Sequence, residues 1–128
     1  MTRVYYFTRT GDSEKIAAQV AAQTGGTCFP IRDGKSWRGF WGFLRGGYCA
    51  AGKKILPAQY EAPQEDDVIY LCFPIWAGGF PPAVRSFVQE IGRRRIIAVP
   101  TSKSSRLSEP EGFLKVIEVI GPDKTVRL

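Results

Sequence analysis

Residues 4–17 read Val4-Tyr5-Tyr6-Phe7-Thr8-Arg9-Thr10-Gly11-Asp12-Ser13-Glu14-Lys15-Ile16-Ala17. Val4–Phe7 is a short apolar, β-prone run, and the six residues after it are polar or glycine. Ile16, Ala17, Val20 and Ala21 then recur at helical spacing, so the order is strand, tight loop, helix. Asp12 or Ser13 is placed to cap the helix and Gly25-Gly26 to close it. Thr27–Ile31 reads as a second strand ending near Pro30.

The same grammar repeats further along. Asp67–Phe73 is a near-continuous apolar run, the pattern of a strand covered on both faces. Pro81-Pro82 opens a helix through Val84, Phe87, Val88 and Ile91, with proline in its tolerated first turn. Gly92 ends that helix, and Arg95–Val99 is a fourth strand. Between these units Trp37, Phe40, Trp41, Leu44 and Tyr48 fall on one face of a helix over 36–50, and 52–66 reads as polar loop. Lys115–Ile120 is expected as a fifth strand, 121–124 as a turn and Thr125–Leu128 as a last extended piece. Strands alternating with helices imply a parallel sheet with right-handed crossovers.

At 128 residues the chain has the length of one domain, expected to span 1–128. Its 44% hydrophobic and 23% charged residues place it among globular proteins rather than disordered ones. No stretch approaches the apolar length of a membrane span, and the start lacks a signal-peptide pattern, so a cytoplasmic location is expected. The chain has no histidine, and Cys28, Cys49 and Cys72 are widely spaced. That removes the usual Cys/His zinc sites and histidine-based triads. Cys72 is expected to be a free buried thiol.

Net charge is +6 and unevenly spread. Arg32, Lys35, Arg38, Arg45, Lys53 and Lys54 stand against the single acid Asp33 in 32–54, and Arg93, Arg94, Arg95, Lys103 and Arg106 face no acid in 93–106. Such blocks favour anionic partners.

In an open parallel sheet ligands bind beyond the carboxyl ends of the strands. Three loops leave such ends: 8–13, 74–80 and 100–106. Thr8, Arg9, Thr10, Gly11, Asp12 and Ser13 combine hydroxyls, a glycine and a helix N-terminus, a combination suited to phosphate. The loop is neither a Walker loop nor G-x-G-x-x-G. Pro74, Ile75, Trp76, Ala77, Gly78 and Gly79 set an indole beside two glycines, which suits a planar heteroaromatic ring and leaves amides exposed. Thr101, Ser102 and Lys103 add hydroxyls and a cation.

On these residues the sequence resembles the flavodoxin family. V-Y-Y-F-T-R-T-G-D-S-E-K-I-A is similar to the family's flavin-phosphate segment, with Ser13 where threonine is usual. D-D-V-I-Y-L-C-F-P-I-W-A-G-G-F-P-P-A-V-R-S-F resembles its third strand, ring-binding loop and following helix, and R-R-I-I-A-V-P-T-S-K-S-S its fourth strand and third flavin loop. The resemblance covers residues 1–106. It implies an α/β, doubly wound five-stranded parallel sheet in the order 2-1-3-4-5, with FMN bound non-covalently by the fifteen residues of the three loops. It implies electron transfer with a redox partner protein or a small-molecule donor or acceptor; the basic charge of this chain, unlike the family's, points to a quinone- or NAD(P)H-linked one. No catalytic side chain, metal or nucleic acid is expected.

Two departures stand out. Only residues 107–128 follow the third loop, so the last helix of the family is expected to be missing, the preceding one missing or vestigial, and the C-terminal end shortened. The bared sheet face would then be covered by a homodimer or a partner. The chain is also basic where the family is typically acidic, and nearby cations favour a reduced, anionic flavin. The alternative readings are a binding or assembly module of the same fold that no longer holds flavin, and an anion-binding regulatory domain.

Overall fold

The structure is a computed structural model that describes residues 1–8, 11–32, 59–76, 78–103, 106–121 and 125–128. Arg9, Thr10, Ala77 and the aromatic segment 36–50 lie outside those residues, as does Cys49. The chain runs β1 (Thr2–Tyr6), α1 (Asp12–Thr24), β2 (Thr27–Pro30), β3 (Val68–Pro74), α2 (Pro82–Ile91), a 3₁₀ turn (Arg93–Arg95), β4 (Ile96–Ser102), β5 (Lys115–Val116) and β6 (Val119–Ile120). The sheet order is β2-β1-β3-β4-β5, with β6 also on β4. All its pairings are parallel. The expected α/β fold class and strand order are therefore present.

The period-2 alternation of the strands decides which helix covers which face. Tyr5, Phe7, Ile69, Leu71, Phe73, Ile96 and Ala98 join Ala83, Val84, Phe87 and Val88 of α2 in one buried cluster. Val4, Cys72, Val99 and Val119 join Ile16, Ala17 and Val20 of α1 in the other. Helices on both faces of the sheet, α1 on one and α2 on the other, are the doubly wound arrangement.

The expected fifth strand is broken in two. β5 pairs with Ile97 and Ala98, and β6 with Thr101 and Ser102. Ile117 still donates its amide to Ala98 O at 2.8 Å. The next donor on that side of β4 would be residue 100, a proline with no N–H. The ladder lapses there and resumes where Gly121 donates to Ser102 O at 3.0 Å. Pro100 thus cuts the last strand in two. β4 also begins one residue later than expected and runs on through Thr101 and Ser102, which are strand rather than loop.

Residues 125–128 overturn the expectation of a bare sheet face. Val126 is buried in the α1-side cluster. Its backbone is held by two glutamines one helical turn apart: Val126 N–H donates to Gln19 Oε1 at 3.0 Å, and Gln23 Nε2 donates to Val126 O at 2.7 Å. Leu128 N–H donates to Gln23 Oε1 at 2.9 Å. This short strap packs on the α1-side face of the sheet, where Val4, Cys72, Val99 and Val119 are all buried. With the bare face goes the argument that a second copy must cover it.

The reading of 52–66 as plain loop is also too simple. Gln59 and Arg32 exchange backbone hydrogen bonds, and Tyr60 packs edge-on against Phe87 and Tyr5.

Candidate functional site

β1, β3 and β4 all deliver their carboxyl ends to the same edge of the sheet, because parallel strands share a direction. Thr8 follows β1, and its Oγ1 accepts the Gly11 N–H at 2.7 Å. Gly11 sits at φ 96°, a left-handed conformation that disfavours a side chain, and it takes the N-cap position of α1. Among the described residues no side chain caps the helix, contrary to the capping expected of Asp12 or Ser13. The Asp12 and Ser13 side chains are already inside the first turn. Lys15 donates the first intrahelical bond, to Gly11 O at 3.1 Å. The amides of Asp12, Ser13 and Glu14 precede it and have no intrahelical acceptor.

That first turn can receive an anion through backbone N–H groups and the helix dipole. Asp12 can contribute only its amide, since an ionised carboxylate is an acceptor.

The second loop is a tight hairpin. Trp76 N–H donates to Gly79 O at 3.0 Å, and Gly79 N–H returns to Trp76 O at 2.9 Å. Ile75 N–H donates to Thr101 O at 3.1 Å. The amides of Ile75, Trp76 and Gly79 are therefore consumed by structure. Of the three amides expected to be exposed, at Ala77, Gly78 and Gly79, that of Gly79 is not, and Ala77 lies outside the described residues. Trp76 is half-buried, and its ring meets Phe7 edge-to-face at 5.7 Å between centroids. This contact fixes the indole at the junction of the first and second loops.

From the third loop, Thr101 is buried, Ser102 half-buried and Lys103 exposed. Ser13 and Thr101 hydroxyl oxygens lie 3.3 Å apart, and Thr101 Oγ1 lies 3.3 Å from Phe73 O. The structure thus brings Thr8, Gly11, Asp12, Ser13, Pro74, Ile75, Trp76, Gly78, Gly79, Thr101, Ser102 and Lys103 to one end of the sheet, while Arg9, Thr10 and Ala77 lie outside the described residues.

Sequence reasoning missed the return of the chain after the third loop. Ser108 N–H donates to Gly78 O at 2.9 Å, and the neighbouring Leu107 is buried. Arg106 pairs with Glu118 at 3.5 Å. Leu107, a lone apolar residue in a polar stretch, was the available signal.

No nucleophile of the thiol kind is prepared among the described residues. Burial pushes both the Cys28 and the Cys72 thiols up, away from the reactive thiolate, and both are free. Cys72 is buried, as expected. Among the described residues this end of the sheet offers free helix-start amides and an indole, and no evident acid–base machinery.

No family model matches the chain, and no curated protein matches it significantly. Solved structures do. A Bacteroides uniformis protein provisionally assigned as a flavoprotein is 22% identical, with a TM-score of 0.71 over 96% of this chain and 92% of its own. A Bacteroides eggerthii protein of the same provisional assignment is 19% identical, with a TM-score of 0.70 over 98% of this chain and 89% of its own. A Lactobacillus acidophilus flavoprotein crystallised with FMN is 13% identical, with a TM-score of 0.66 over 93% of this chain and 91% of its own. At these identities the likeness establishes the fold, which is flavodoxin-like.

Proposed function

We propose that the chain binds FMN non-covalently at the carboxyl ends of β1, β3 and β4 and passes electrons through it. The observation that carries this reading is the convergence of an uncapped helix N-terminus, preceded by left-handed Gly11, with the Trp76 hairpin. One end fits a phosphate and the other a planar ring, and FMN has both. A fold neighbour crystallised with FMN supports the choice.

The first-turn amides of α1 and the Thr8 hydroxyl would hold the phosphate, together with Arg9 and Thr10. Pro74, Ile75, Trp76, Ala77, Gly78 and Gly79 would border the ring on one side and Thr101, Ser102 and Lys103 on the other. When bound, FMN supplies the redox chemistry; the protein supplies binding, orientation and electrostatics. Lys103 adds positive charge on the ring side, which favours the negative charge of a reduced flavin. That suits exchange with a two-electron donor or acceptor of the nicotinamide or quinone class, or with a redox partner protein.

The test is to load purified protein with FMN, desalt it and record its visible absorption. Flavin absorption eluting with the protein at a stoichiometry near one is the expected result. Colourless protein would remove the redox reading and leave a flavin-free binding module of the same fold. That second reading draws on the loop amides already consumed within the structure.

A further inference from the structure

Ser13 and Thr101 are polar residues of the candidate site that the fold buries, at 1% and 3% exposure. Their hydroxyls meet at 3.3 Å, joining the start of α1 to the end of β4. Thr101 Oγ1 is also 3.3 Å from the Phe73 carbonyl at the end of β3. A carbonyl oxygen only accepts, and a threonine hydroxyl has one proton. Thr101 therefore donates to Phe73, which obliges Ser13 to donate to Thr101. The Thr101 carbonyl in turn accepts from Ile75 N–H, directly before Trp76.

We infer that Ser13 is a positioning residue in this chain, not a phosphate ligand through its hydroxyl. Its proton is committed to Thr101, and the chain Ser13–Thr101–Phe73 locks the phosphate end of the site to the ring end. Thr8 contrasts with it: its oxygen accepts from Gly11, which leaves the hydroxyl proton to donate. The ligand side of this inference rests on the flavin reading, whereas the relay itself is a property of the protein alone.

The two parts separate by experiment on the full chain. FMN and riboflavin, which lacks the phosphate, are titrated into Ser13→Ala, Thr101→Val and Thr101→Ser, following flavin fluorescence. Ser13→Ala is expected to weaken both flavins by one common factor of about three to ten, the range of a single neutral hydrogen bond. Thr101→Val, which keeps the shape and loses the hydroxyl, should do the same. Thr101→Ser, which keeps the hydroxyl, should restore binding. Loss of FMN affinity alone in Ser13→Ala, with riboflavin unchanged, would overturn the proposal by making Ser13 a phosphate ligand.

A double-mutant cycle of Ser13→Ala and Thr101→Val in urea, without flavin, supplies the independent readout. Non-additive losses are expected, because both changes remove one shared bond. Additive losses overturn the relay. Should the unmodified protein bind neither flavin, the flavin reading fails on its own and the cycle decides the relay.

Discussion

Gly26 shows how little room a single position can leave. A Cβ built there would stand 2.9 Å from the Thr2 carbonyl oxygen and 3.0 Å from its side-chain methyl. The backbone oxygen belongs to β1 and cannot swing aside. Gly26→Ala is therefore expected to destabilise the protein by about 1–3 kcal/mol, the usual cost of overpacking, read as a lower urea midpoint at unchanged slope. Lys103 acts at the same scale through charge rather than space. Lys103→Glu should move the midpoint potential of the FMN-loaded protein to a more negative value. The shift is expected to be on the order of tens of millivolts, because the side chain is exposed and salt screens it. A potential unchanged by the reversal would place Lys103 away from the flavin.

Among the elements, those with strong periodicity were legible in the sequence. α2 follows from Pro81-Pro82 and its apolar face, and β3 from an uninterrupted apolar run; both formed where the pattern put them. Burial reinforces local preference in such elements, so pattern and structure agree. The last strand was not legible in detail, because its break depends on Pro100 in a neighbouring strand rather than on anything within Lys115–Ile120. In the site, the three loops could be read from composition, whereas the commitment of the Ser13 and Thr101 hydroxyls to each other could not. That contact spans 88 positions. The strap at 125–128 was read as an extended piece without its destination, since two glutamine side chains on α1 decide where it lies. Its contribution can be measured. Val126→Asp places a carboxylate among Val4, Ile16, Val20 and Val119 and is expected to cost about 3 kcal/mol or more. Gln23→Ala, which removes two peripheral hydrogen bonds, should cost about 1 kcal/mol. If Val126→Asp unfolded at the same urea concentration as the parent, the strap would be an ornament on a face held closed by other contacts.

Because the strands are parallel, the molecule has two unlike ends. The carboxyl ends carry the candidate site, while the amino ends are tied by a buried ion pair, Arg3 Nε to Asp67 Oδ2 at 2.6 Å. Arg3 is the second residue of β1 and Asp67 directly precedes β3, so the pair joins two neighbouring strands at the end remote from Ser13 and Trp76. The Gln64 amide donates to Asp67 Oδ2 at 2.8 Å. That bond first, and then the Arg3 guanidinium, hold the carboxyl below its ordinary range against the opposing effect of burial. A carboxyl whose pKa is lower folded than unfolded binds fewer protons in the native state, so it adds stability above the unfolded pKa of about 3.9. The contribution disappears as pH falls through that value and then through the lower folded one. Asp67→Asn, which cannot ionise, should therefore be less stable than the parent near neutral pH and lose less stability on acidification below about pH 4. Flavin affinity at neutral pH should be unaffected, because the substitution lies at the opposite end of the sheet. Urea unfolding between pH 7 and pH 3, paired with FMN titration at pH 7, checks both halves. Parallel pH profiles for the two proteins would remove Asp67 as a source of acid sensitivity. A loss of flavin binding in a folded Asp67→Asn variant would instead show that the two ends of the sheet communicate.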